Sequence, residues 1–287
     1  MMDNHQALYK KVLDFARNHK LVRLVTMNGS RVNPNIKPDH YQDFDIVFYV
    51  SNFDLFMLNK DFVFDFGDIL IMQTKDDQRD QDNNNQSKWY IYLTQFKDGS
   101  RLDLSILDMK DLDDTIHSDS LTKVLLDKDH LIHDLNQADE SSYYIKKPSK
   151  KDISMTVNEF YWVSLYVGKG LARNHTFYAI KHLDILRNEV ERIIDWWIAY
   201  QYDFQLSVGK GKHRYIDLLP EKFYLLYKET YTDANVKNIW SALFKVIDLF
   251  DQVFYLLTEY TEVECDKQYK KKIKQFIIDH YKNSEGN

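Results

Sequence analysis

The sequence predicts an α+β chain in two parts: a β-sheet with flanking helices over residues 1–148, and a helical bundle over residues 149–287. Three observations carry this expectation. Strand-like apolar runs are confined to the first half, the charged and proline-bearing stretch KKPSKK interrupts the chain at 146–151, and beyond it apolar residues recur only at helical intervals. At 287 residues the chain is long for one domain and comfortable for two.

Taken in order, residues 5–19 space Leu8, Val12 and Phe15 as the buried stripe of a helix, and Leu21–Met27 then reads as a short strand. A Gly-Ser-Arg turn at 29–31 and a loop with Asn33, Pro34, Asn35 and Pro38 lead into the strand Asp43–Val50, which makes the two strands neighbours. Further strands are expected at Asp68–Gln73, Trp89–Phe96 and Arg101–Leu107, the last two joined by the hairpin turn Asp98-Gly99. Between them DDQRDQDNNNQSK, residues 76–88, has almost no apolar residue and reads as a solvated loop. Helices are expected over 152–173, 177–203, 235–260 and 267–282. His130 and His133 have a metal-like spacing, but with no cysteine or third histidine nearby they read as ordinary helix residues and no zinc is assigned.

Composition limits the function classes. Apolar residues at 44% supply two cores, and the net charge of -6 argues against a nucleic-acid partner, which needs a basic surface, and favours a cationic substrate. With Cys265 the only cysteine, no intrachain disulfide can form. The start, MMDNHQALYKK, is too polar for a signal peptide, and no apolar run has the length of a membrane span, so a cytoplasmic protein without a membrane partner is expected.

The chemistry concentrates in DFDIVFYV. Strand side chains alternate, so Asp43 and Asp45 point to one face while Phe44 and Ile46 point to the other. Like charges beside an apolar sheet core are costly unless a cation neutralises them, and magnesium, which takes carboxylate oxygens together with phosphates and water, suits such a pair. Spacing alone does not single the pair out: Asp80/Asp82, Asp111/Asp113 and Asp127/Asp129 repeat it in polar surroundings that read as solvated surface. What sets Asp43 and Asp45 apart is context. Gly29-Ser30-Arg31 follows the first strand, where amides and a hydroxyl can approach a phosphate and an arginine can neutralise it, and a third acid, Asp103, lies on the later strand LDLSIL.

Strand, Gly-Ser, variable loop, Asp-x-Asp and a later acid resemble the signature of the DNA polymerase beta-like nucleotidyltransferase superfamily. Beyond that signature, MNGSRVNPNIKPDHYQDFDIVFYV, FGDILIMQ, SDSLTKVLLDKD, NEFYWVSLYVGKGLARN and LSVGK resemble the aminoglycoside 6-adenylyltransferases, also called streptomycin adenylyltransferases, across nearly the whole chain. The resemblance implies a mixed nucleotidyltransferase sheet followed by a helical substrate-binding domain. It also implies transfer of AMP from ATP to a hydroxyl of an aminoglycoside, the 6-hydroxyl of streptomycin, with release of pyrophosphate and loss of the antibiotic's action. Asp43, Asp45 and Asp103 would then hold two Mg²⁺ ions, with Asp103 as ligand or base, and Gly29, Ser30 and Arg31 would receive the phosphates. Two places depart from the family pattern: residues 76–88 are Asn/Gln/Asp-rich where relatives carry a more apolar segment with proline, and Gly168 stands where a larger aliphatic residue is usual.

Glu159, Trp162, Tyr166, Lys169 and Arg173 recur at steps of three and four and so share one helix face. Such a stripe is either ordinary packing with charged ends or a binding face. The resemblance favours the second, with Glu159 meeting the cationic groups of the acceptor, Trp162 and Tyr166 walling it, and Lys169 reaching the triphosphate. Lys210, between Gly209 and Gly211, is a second candidate phosphate contact or else a solvated loop lysine; neither it nor GKG at 168–170 fits the P-loop pattern. The rival readings are an enzyme of the same superfamily acting on a lincosamide, a protein or a nucleic-acid hydroxyl, and a nucleotide-binding regulator without catalysis. Oligomeric state is not legible in the sequence.

Overall fold

A computed structural model describes residues 4–77, 88–263 and 267–285, so most of the polar 76–88 stretch, the Asp80/Asp82 pair and Cys265 lie outside the described residues. The chain divides into two compact units, Met1–Ser142 and Tyr143–Asn287, the break falling just before KKPSKK.

The first unit runs α1 (Asn4–Asn18), β1 (Val22–Asn28), β2 (Phe44–Val50), the single turn α2 (Phe53–Phe56), β3 (Ile69–Thr74), β4 (Trp89–Phe96), β5 (Arg101–Asp108), the single turn α3 (Leu112–Thr115) and β6 (Thr122–Asp127). Its strands form one mixed sheet in the order β3-β4-β5-β2-β1-β6, in which, among the described residues, only β2 and β5 pair in parallel. Alternation explains the register: Phe44, Ile46 and Phe48 of β2 and Leu102, Leu104 and Ile106 of β5 are buried on one face together with Leu8, Val12 and Ala16 of α1. Phe15 of α1 extends this core by stacking on Phe62, with ring centroids 4.9 Å apart. Asp98-Gly99 makes the turn between β4 and β5 as expected, with Gly99 at φ +90° and its amide donating to the Phe96 carbonyl.

The edge strand β6 is absent from the sequence expectation. Its apolar residues Val124, Leu125 and Leu126 run without alternation and are only partly buried, so neither period marks it. His130 and His133, expected on a helix, lie instead in an irregular segment after β6. The Asp127 carboxylate accepts from the amides of Asp129 at 3.2 Å and Ile132 at 3.0 Å, and His130 takes φ +53°. An aspartate that captures nearby amides in this way competes with the helical hydrogen-bond pattern.

The second unit is helical: α4 (Lys150–Ala172), α5 (Thr176–Gln201), the single turn α6 (Tyr215–Leu218), α7 (Glu221–Lys228), α8 (Val236–Thr258) and α9 (Lys267–Glu285). Ser149 and Asp152 form a reciprocal capping box that starts α4 immediately after Pro148. Phe160 of α4 and Phe250 of α8 stack face to face at 3.7 Å within a core drawn from α4, α5, α7, α8 and α9. Gly168 sits where α4 meets this core; a Cβ there would lie 3.8 Å from Ile277 of α9 and 3.8 Å from Trp240 of α8. Ile277 and Trp240 thus fill the space that a larger aliphatic side chain at 168 would take. Among the described residues no helix is long and apolar enough to cross a membrane.

Candidate active site

The sheet brings Asp43, Asp45 and Asp103 together from strands far apart in sequence. Parallel pairing sets Asp45 directly beside Asp103, and one step earlier on the same face Asp43 and Arg101 flank the Phe44–Leu102 pair. The face opposite these acids is the apolar core shared with α1, as the alternation demands.

Gly29 opens a 3-10 turn, Gly29–Val32, directly after β1, with φ +74°. Two requirements make glycine necessary there. The left-handed backbone disfavours any Cβ, and a Cβ built at this position would collide with Oδ2 of Asp45. Turn and acid are therefore in direct contact. The Gly29 amide donates to the Leu121 carbonyl at 3.1 Å. Arg31, the expected phosphate contact, donates from Nε to the Asp43 carbonyl at 3.0 Å and from Nη2 to the Gln42 carbonyl at 2.6 Å, and its guanidinium lies 3.8 Å from the Phe44 ring centroid. Gln42 in turn donates from Nε2 to the Ser30 carbonyl at 3.3 Å. Arg31 and Gln42 thus lace the turn to the mouth of β2. The intervening loop is pinned by buried Glu140, which accepts from the side-chain amides of Asn33 at 2.8 Å and Asn35 at 2.9 Å.

Arg101 is a site residue that the sequence reading missed. Its Nε and Nη2 each reach one oxygen of Asp103 at 2.9 Å, and Nε lies 3.5 Å from Asp43 Oδ2. The Asp103 carboxylate, with Asp43 and Asp45 adding to it, holds the guanidinium more firmly protonated than an ordinary arginine. The only sequence signal was its place two residues before Asp103, on the same side of the strand. Three carboxylates suit magnesium as a donor set. Among the described residues, however, no group of three acids or histidines is gathered tightly enough to hold an ion as it stands. The cation that bridges Asp43 and Asp103 is the arginine.

In the helical unit, Glu159, Trp162, Lys169 and Arg173 are exposed and Tyr166 is partly buried, while Ile153, Val157, Phe160, Val167 and Leu171 of the same helix enter the core. Of the stripe, Tyr166 packs against that core and the other four side chains lie on the surface. Trp162 Nε1 donates to the Tyr166 hydroxyl at 2.7 Å, and Tyr166 meets His182 of α5 edge to face. A second acid, buried Glu189 of α5, lies close enough to Glu159 for the two charges to interact; burial foremost, and Glu159 in addition, push the Glu189 carboxyl up. Periodicity had no means of pairing it with α4. Lys210 is exposed on a turn anchored by its neighbour Lys212, which forms an ion pair with Asp195 of α5.

A mixed sheet that sets a glycine turn against a strand-borne acid, with another acid in register on the parallel neighbour, is the frame of a DNA polymerase beta-like nucleotidyltransferase. Residues 2–280 match the family model described as streptomycin adenylyltransferase. Curated aminoglycoside 6-adenylyltransferases from Bacillus subtilis (strain 168), Campylobacter jejuni and Staphylococcus aureus are 36%, 33% and 31% identical, over 87%, 96% and 98% of this chain and 88%, 96% and 100% of theirs. A solved aminoglycoside 6-adenyltransferase from Bacillus subtilis is 28% identical with a TM-score of 0.46, covering 98% of this chain and 99% of that one. The chain belongs to the streptomycin adenylyltransferase family, and it is an enzyme of the nucleotidyltransferase class.

Proposed function

We propose that the protein transfers AMP from ATP to a hydroxyl of an aminoglycoside, the 6-hydroxyl of streptomycin, and releases pyrophosphate. The relatives' names support the aminoglycoside acceptor. The observation that carries the chemistry is the in-register Asp45–Asp103 pair with Gly29 packed on Asp45. In this reading Asp43, Asp45 and Asp103 hold magnesium, whose charge would offset that building up on the α-phosphate and the leaving pyrophosphate.

The chain's own residues supply the rest. Gly29 lets the phosphates approach the sheet without a side chain in the way, and Ser30 offers its hydroxyl to them. The acceptor oxygen forms a bond to the α-phosphorus as the bond to the bridging oxygen breaks, and the hydroxyl proton needs a base. We assign that role to Asp103, whose two oxygens each accept once from the Arg101 guanidinium and keep a further acceptor site for the proton. On the helical unit we assign Glu159, Trp162 and Tyr166 to the acceptor, whose cationic groups suit a carboxylate beside aromatic rings, and Lys169 and Lys210 to the triphosphate.

The test is pyrophosphate release with ATP and Mg²⁺, comparing streptomycin with a 2-deoxystreptamine aminoglycoside. Release with streptomycin alone is expected; release with neither, or with the second alone, overturns the acceptor assignment.

A further inference from the structure

We propose that Arg101 is the resident cation of the acidic site: it occupies the place of the metal before nucleotide arrives, and it must leave Asp103 for a divalent ion to be bound. The inference rests on the metal reading above and extends it to how the site is kept when empty.

The geometry is that of a built-in counter-ion. Asp43 and Arg101 on one side, and Asp45 and Asp103 on the next, stand on a single sheet face. A planar guanidinium makes the paired, parallel contacts with Asp103 that a carboxylate accepts best, and it reaches Asp43 with the same Nε. Three carboxylates on adjoining strands without a cation between them would repel one another across the sheet. The arginine also has an open side toward solvent. Its side chain is 41% exposed against 18% for Asp103, and its cross-strand neighbour on β4, Gln95, spends its amide on the Ser100 carbonyl at 3.0 Å. It can therefore swing toward solvent, or toward incoming phosphate, without breaking the core. A metal ion and this guanidinium compete for the same oxygens, so the arginine sets a threshold that an isolated ion has to overcome. A nucleotide lowers that threshold by offering the displaced arginine a new anion.

The test is Mn²⁺ binding to nucleotide-free protein, followed by loss of the free-ion paramagnetic resonance signal, together with thermal melting in EDTA. Arg101→Gln removes one positive charge from within a few ångström of the ion, and Mn²⁺ should then bind about tenfold tighter than to the wild type. The same variant should melt lower than wild type in EDTA and recover on addition of Mn²⁺. Arg101→Lys, which keeps the charge and loses the fork, should bind Mn²⁺ with an affinity between the two. Structural damage alone would weaken binding, so equal or weaker Mn²⁺ affinity in Arg101→Gln overturns the proposal. Asp45→Asn separates the two levels of the argument. If wild type binds Mn²⁺, Asp45→Asn does not, and Arg101→Gln binds no tighter, the metal reading stands and the counter-ion falls. If neither wild type nor Arg101→Gln binds Mn²⁺, both fall.

Discussion

Gly29→Ala puts the contact between turn and acid to a quantitative test. An alanine at φ +74° carries a left-handed penalty of about 1–2 kcal/mol. A unit of this size converts that into a fall of a few degrees in melting temperature, about 2–4 °C per kcal/mol. The effect on turnover should be far larger. The new methyl would overlap Oδ2 of Asp45, so either the carboxylate or the turn has to shift, and a misplacement of about 1 Å in a catalytic group costs on the order of 100-fold in rate. Pyrophosphate release and differential scanning fluorimetry on the same preparation should therefore diverge, with a melting temperature close to wild type and kcat/KM reduced about 100-fold. Turnover within threefold of wild type would refute the claim that Gly29 exists to let Asp45 and the phosphates share its space. A collapse in melting temperature equal to the loss of activity would refute it too, by making the glycine merely structural.

Three further outcomes follow from the same geometry. Asp45→Asn should abolish AMP transfer with its circular dichroism spectrum unchanged, and retained turnover would remove Asp45 from the metal site. Glu189 has its carboxyl raised by burial, so its favourable contribution is full below the unfolded carboxylate range and is lost as pH rises through the folded value. Glu189→Gln should accordingly gain in melting temperature relative to wild type as pH rises above the ordinary carboxylate range, and a relative loss would contradict the sign. Gly168→Ala should be neutral or mildly stabilising, whereas Gly168→Leu should overpack against Ile277 and Trp240 at a cost of about 1–3 kcal/mol in chemical denaturation.

The parts of this protein that could be read in advance are those whose neighbours are local. Trp89–Phe96 and Arg101–Asp108 alternate strictly between buried and half-buried positions, and Asp98-Gly99 closes them as a hairpin. Apolar residues recurring at helical intervals announce α4. Strand β6 escaped because a partly buried edge strand imposes no clean period on its residues, and α7 because eight residues make too short a window. At the site, alternation placed Asp43 and Asp45 on one face. Nothing local could reveal that Asp103 stands in register with Asp45, that Arg101 bridges to Asp43, or that Arg31 turns back onto the backbone of Gln42 and Asp43. Those facts depend on which strands pair, and pairing is decided by the whole sheet.

The parallel β2–β5 seam also dictates when the enzyme becomes competent during folding. β1 with β2 is one locally connected ribbon, and β3, β4 and β5 form a meander joined by successive antiparallel pairings. Each can close over short stretches of chain, but Asp45 and Asp103 become neighbours only when ribbon and meander dock along the seam. Contacts of such wide sequence separation are slow to form. With Asp45 and Asp103 as the catalytic pair proposed above, renaturation should return secondary structure ahead of turnover.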